Sequence, residues 1–119
     1  MLRQWLSRNE KKLIYLLVIY WVLIFVGTHM PLDELPVEME PGVDKIIHFL
    51  LYFPLAFLLA AQRQIQTRAQ WVSALGILLA YAAFDEISQI PVNRSAEFLD
   101  WVLDSIGSVA GLYAYRKVT

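Results

Sequence analysis

Apolar residues fall in four long blocks separated by short polar stretches, and block length carries the pattern. Leu13 to Met30 runs eighteen residues without Asp, Glu, Lys or Arg, close to the roughly 20 apolar residues that cross a hydrocarbon core as helix. Pro31 to Val43 (PLDELPVEMEPGV) is acidic and broken by prolines and a glycine, so it reads as a loop. A second block, Ile46 to Ala61, contains His48, Tyr52 and Pro54, and Pro54 is expected to kink it. After the polar link Gln62 to Gln70, the third block runs from Trp71 to Phe84 and is closed by Asp85 and Glu86. Pro91 and Asn93 break the chain again. Ser95 or Asn93 suits the N-cap of a fourth helix beginning near Ala96, with Glu97 in its first turn. The pattern predicts an all-α integral membrane bundle of four transmembrane helices, with spans at about 13–30, 46–61, 69–84 and 98–115 of one domain, 1–119.

The three later blocks alone would also suit buried helices of a soluble bundle, and charge decides between the two. If four helices cross in turn, the N-terminus, the 62–70 link and the C-terminus share one side. That side holds Arg3, Arg8, Lys11, Lys12, Arg63, Arg68, Arg116 and Lys117, eight of the ten basic residues. The other side receives every acid except Glu10. Lys and Arg gather on the cytoplasmic side of membrane proteins, so both termini are expected in the cytoplasm and the chain in the cytoplasmic membrane. Trp5, Trp71, Tyr113 and Tyr115 fall near the inner boundary and Trp101 near the outer one, as interfacial anchors do.

Composition agrees. Hydrophobic residues make up 58% of the chain and charged residues 18%, with a mean hydropathy of +0.48, against roughly 45–50% and about 25% in soluble domains. The first block is long for the core of a signal peptide, and no A-x-A-like cleavage site follows it. A net charge of −1 without a basic cluster gives no reason to expect nucleic acid. The absence of cysteine excludes thiolate catalysis, disulfides and cysteine-ligated metals.

In this topology the polar residues of the spans all fall at the outer end. Asp44, His48 and Tyr52 recur at i, i+4 and i+8 and share a helix face, and Asp85 and Gln89 share another beside Glu86. Glu97, Asp100, Asp104, Gly107 and Gly111 form one stripe, acidic above and glycine-lined below. At a 1.5 Å rise Asp104 sits roughly 12–14 Å below Ser95, so the expected site is a pocket open outward rather than a conduit. The plain alternatives are structural. Gly107-x-x-x-Gly111 suits close helix packing, and Arg94 and Lys45 suit ion pairs with the surrounding carboxylates. Asp104 resists that reading most, because a carboxylate at the centre of a spanning helix costs about 2.5–3.5 kcal/mol on insertion scales.

Three short motifs in order, DKIIHFLLY, DEISQ and RSAEFLDWVLDSIG, resemble the VanZ-like family of small bacterial membrane proteins, from about Asp44 to Gly111. One position departs: the resemblance implies Asn where this chain has Asp104. The family's namesake is associated with low-level teicoplanin resistance, so the resemblance implies a link to the cell envelope and glycopeptides, and it implies no reaction. The candidate ligand-binding residues are Asp44, Lys45, His48, Tyr52, Asp85, Glu86, Gln89, Arg94, Asp100 and Asp104, with Gly107 and Gly111 for packing. The expected partners are the bilayer and an amphipathic or cationic ligand, either a glycopeptide or a lipid-linked wall precursor.

The competing reading is a metal-assisted hydrolase or carrier acting on lipid-linked intermediates, with Asp44, His48, Asp85, Glu86 and Asp100 as donors. No compact ligand motif such as H-E-x-x-H is present, so neither a metal nor a cofactor is expected. A proton-coupled exporter needs a carboxylate reachable from both sides, and the first block has none. A purely structural helix packer completes the alternatives.

Overall fold

A computed structural model describes residues 2–29, 42–89 and 98–119. Arg94, Glu97 and most of the acidic loop lie outside the described residues, and Asp44 is described in its backbone alone. The elements are α1 (Leu2–Arg8), α2 (Glu10–His29), α3 (Val43–Arg63), α4 (Arg68–Ser88) and α5 (Phe98–Val118). No strand occurs among the described residues.

The short helix α1 is not apparent from the hydropathy pattern, because its basic residues mask one apolar anchor, the buried Leu6. Asn9 ends it by donating its side-chain amide to the Trp5 carbonyl at 2.7 Å, and α2 starts at the next residue. The four long helices outrun the apolar blocks. Each has 20 or 21 residues, roughly 30 Å of helix, which is about the thickness of a hydrocarbon core. Helical backbone satisfies its own hydrogen bonds, so the helix continues through polar ends such as Val43–Lys45 and Asp85–Ser88, provided their side chains find partners.

Among the described residues, three helices are long and apolar enough to cross a membrane: Glu10–His29, Lys45–Arg63 and Arg68–Ser88, with mean hydropathies of 1.8, 1.6 and 1.3. α5 matches them in length but carries Asp100, Asp104, Arg116 and Lys117 and is not among them. Its two aspartates are buried, so they do not face outward into lipid or solvent. The exterior, by contrast, is apolar, with Leu16, Ile19 and Leu23 of α2, Leu50 of α3, Ile77 of α4 and Ile106 of α5 all exposed. Exposed apolar surface over a partly polar interior is the distribution a lipid-facing bundle needs.

α3 is the central helix. It touches α2, α4 and α5, most extensively α5, and small or slim residues permit that approach. A Cβ on Gly107 would lie 2.6 Å from the Phe49 carbonyl oxygen, and one on Gly111 would collide with the Phe53 carbonyl. The clash is with backbone, so only glycine lets the two helix axes come this close. α3 stays a single helix through Pro54, and the Tyr20 hydroxyl donates to the nearby Leu51 carbonyl at 2.7 Å. α3 ends at Gln64 in a left-handed conformation (φ 49°, ψ 49°), its amide bonding back to Ala60 and Ala61. Thr67 and Gln70 then form a capping box that opens α4. The polar link predicted at 62–70 therefore shrinks to the four residues 64–67 between helices. Tyr115 points inward, buried and edge-on to Phe57 at 5.8 Å, while Tyr113 is exposed.

Candidate functional site

α2 and α4 end, and α3 and α5 begin, at the same end of the bundle, and each brings polar side chains there. The helical period explains which. His48 and Tyr52 lie one turn apart on the face of α3 that meets α4 and α5, and both are buried. Asp100 and Asp104 stand in the same relation on α5, above the buried Gly107 and Gly111. Asp85 in the last turn of α4 and Gln89, the C-cap that follows it, do so as well, and the Gln89 amide donates to Asp85 Oδ2 at 3.2 Å. Asp85, Gln89 and Asp104 are 0–1% exposed, so each must find its partners inside the protein.

Two networks result. The first is built on Asp85. Its Oδ1 accepts from Thr28 Oγ1 at 2.7 Å, and its Oδ2 accepts from Gln89 and, at 3.5 Å, from the Tyr52 hydroxyl. His29 Nδ1 lies 3.6 Å from Oδ1, and His29 Nε2 contacts Ser88 Oγ at 2.6 Å. This carboxylate is held by donors from α2, α3 and its own helix, which is how a buried charge is retained.

The second network is built on His48. Its Nδ1 meets Asp104 Oδ1 at 2.7 Å and lies 3.7 Å from Glu86 Oε1, and its Nε2 lies 3.5 Å from Asp100 Oδ2. Lys45 Nζ stands 2.7 Å from Asp100 Oδ1. Ser108 donates to the Asp104 backbone carbonyl at 2.8 Å. Carboxylates from α4 and α5 thus surround one imidazole from α3. The ligand atoms of His48, Glu86 and Asp104 all lie within 4.8 Å of one another, and all three residues are buried.

The structure brings Lys45, His48, Tyr52, Asp85, Glu86, Gln89, Asp100 and Asp104 of the sequence-predicted set together. Asp44 (beyond its backbone) and Arg94 fall outside the description. Three participants were missed: Thr28, His29 and Ser88. The signal for the first two was topological, since the C-terminal end of the first span must lie on the same side as Asp85. Trp101, expected as an interfacial anchor, is half-buried and donates its indole N–H to the Leu79 carbonyl at 3.1 Å, tying α5 to α4. A cavity of about 600 Å³ lies at the opposite, basic end, lined by Arg3, Arg68, Trp71, Tyr115 and Arg116 among others.

A family model described as VanZ/LLP1 matches residues 12–119, which include every residue of both networks. Searches of curated proteins and of solved structures found no match. With three helices able to cross a bilayer, this is a VanZ-like membrane protein. The chain belongs to the VanZ/LLP1 family.

Proposed function

We propose that the chain is one four-span domain, 1–119, of the bacterial cytoplasmic membrane, with α5 as the fourth span and both termini in the cytoplasm. We further propose that its acidic end faces outward and binds an amphipathic or cationic ligand of the envelope, a teicoplanin-type glycopeptide or a lipid-linked wall precursor, without catalysing a reaction. The observation that carries this reading is the gathering of Glu86, Asp100 and Asp104 from two helices around one histidine of a third, with Asp85 at the same end, all buried. Structural packing alone has little use for four carboxylates there, because buried ion pairs seldom outdo apolar residues in stability. The one-sided charge distribution supports the orientation, and the family supports the envelope setting.

The test is expression in a teicoplanin-sensitive bacterium. The wild-type chain is expected to raise the inhibitory concentration, and Asp100→Ala and Asp104→Ala, at matched membrane levels, to return it to that of the empty host. A wild-type chain without effect removes the glycopeptide. Full resistance in both variants removes the acidic site.

A further inference from the structure

We propose that His48, Glu86 and Asp104 form a binding site for a divalent transition-metal ion of the Zn²⁺ or Mn²⁺ class. The inference concerns the same end of the bundle as the proposed ligand site, but it rests on the geometry of these three side chains and stands whichever envelope ligand is bound.

Three observations converge. The donors come from three different helices, α3, α4 and α5, and their ligand atoms lie within 4.8 Å of one another. Two atoms bound to one tetrahedral zinc at 2.0–2.2 Å are roughly 3.3 Å apart. The His48 Nδ1 distances of 2.7 Å to Asp104 and 3.7 Å to Glu86 bracket that value. Second, Asp104 is fully buried, and its Oδ2 meets no hydrogen-bond donor among the described residues. A carboxylate oxygen desolvated without a donor is expensive, and a cation supplies what is missing. Third, the other ring nitrogen of His48 faces Asp100, which Lys45 holds. A metal-binding histidine commonly directs its second N–H at a carboxylate in this way, fixing ring orientation and raising its basicity.

The donor set selects the metal. One imidazole beside two carboxylates suits Zn²⁺, and Mn²⁺ through its oxygen donors, better than Mg²⁺ or Ca²⁺, which prefer oxygen alone. Binding needs Nδ1 free of its proton: a doubly protonated His48 would release the Nδ1 proton to solvent and keep the Nε2–H that faces Asp100. Three protein ligands leave a coordination position for water or a donor group of an incoming ligand.

The experiment uses the full chain, purified in detergent and stripped with a chelator, then titrated with Zn²⁺ and Mn²⁺ alone. The expected result is about one equivalent bound per chain by elemental analysis, with an unfolding temperature that climbs with ion concentration. Glu86→Gln and Asp104→Asn, which keep side-chain shape, should each weaken binding by roughly 100-fold or more, and Asp100→Asn by about 10–100-fold through the histidine. Co²⁺ bound to the wild-type chain should show visible d–d bands of a four- or five-coordinate site, a readout that needs no variant to fold. Three results would overturn the inference: no uptake by folded protein, uptake unchanged in both Glu86→Gln and Asp104→Asn, or uptake confined to Mg²⁺ and Ca²⁺. Drug sensitivity does not enter these measurements, so the metal site and the glycopeptide reading fail separately.

Discussion

The two ends of the bundle carry charge in opposite ways. At one end Asp85, Glu86, Asp100 and Asp104 are buried, beside His48 and Lys45. At the other Arg3, Arg68 and Arg116 are exposed and line an open cavity of about 600 Å³. Exposed charges keep their hydration, so each is nearly independent and its pairings add little. Buried charges have exchanged water for one another, so each depends on its neighbours. The comparison teaches where to look for chemistry. A charged end as such is what a membrane protein needs for orientation, whereas a buried and interlocked charged end demands a further purpose.

The largest expected effect is at the centre of the interlocked end. His48→Leu removes the donor to Asp104 and leaves Asp104, Asp100 and Glu86 facing an apolar side chain. Taking one partner from a buried ionic network costs about 3–5 kcal/mol, so thermal unfolding in detergent should show a strongly destabilised protein. A variant as stable as wild type would mean that the carboxylates around His48 are hydrated, and the contrast between the ends would collapse.

Thr28→Val tests the second network with a smaller effect. Valine keeps the shape of threonine but takes the 2.7 Å donor from Asp85 Oδ1. An unsatisfied buried acceptor costs about 1–3 kcal/mol, here moderated by Gln89 and Tyr52, which still donate to Oδ2. A loss comparable to that of His48→Leu would show that the two networks act as one unit. No loss at all would place water at Asp85.

These residues differ in how far the sequence revealed them. His48 with Tyr52, Asp100 with Asp104, and Gly107 with Gly111 were legible because the helical period puts members of each pair on one face. The division of labour between Asp85 and Glu86 was not. Consecutive helical residues point about 100° apart, and only the placement of neighbours shows that Asp85 meets Thr28 of α2 while Glu86 turns to His48 of α3. Thr28 and His29 were hidden for another reason. In an apolar block, a threonine and a histidine near the helix end pass for self-satisfied groups, and Thr28 Oγ1 does lie 3.2 Å from the Phe25 carbonyl oxygen of its own helix. The helix lengths were underestimated because hydropathy stops at the first charge, whereas the backbone stops only when its hydrogen bonding does.

The smallest perturbations read the orientation of the two ends. The chain has no cysteine, so single cysteines at exposed positions report sidedness through a membrane-impermeant maleimide, and exposed substitutions of this kind shift stability by only about 0.5 kcal/mol. Ser7→Cys and Gln66→Cys mark the basic end before α2 and after α3, and Phe98→Cys marks the start of α5. In intact cells Phe98→Cys is expected to react, and the other two only after permeabilisation, since basic segments stay in the cytoplasm. Val118→Cys then decides the status of α5, the one long helix that its composition does not mark as a span. If α5 crosses, position 118 is protected together with positions 7 and 66. If it lies on the outer surface, position 118 reacts together with position 98. The buried Asp100 and Asp104 favour crossing, because α5 hides its acids against α3 and α4 and shows lipid an apolar back at Ile106 and Val109.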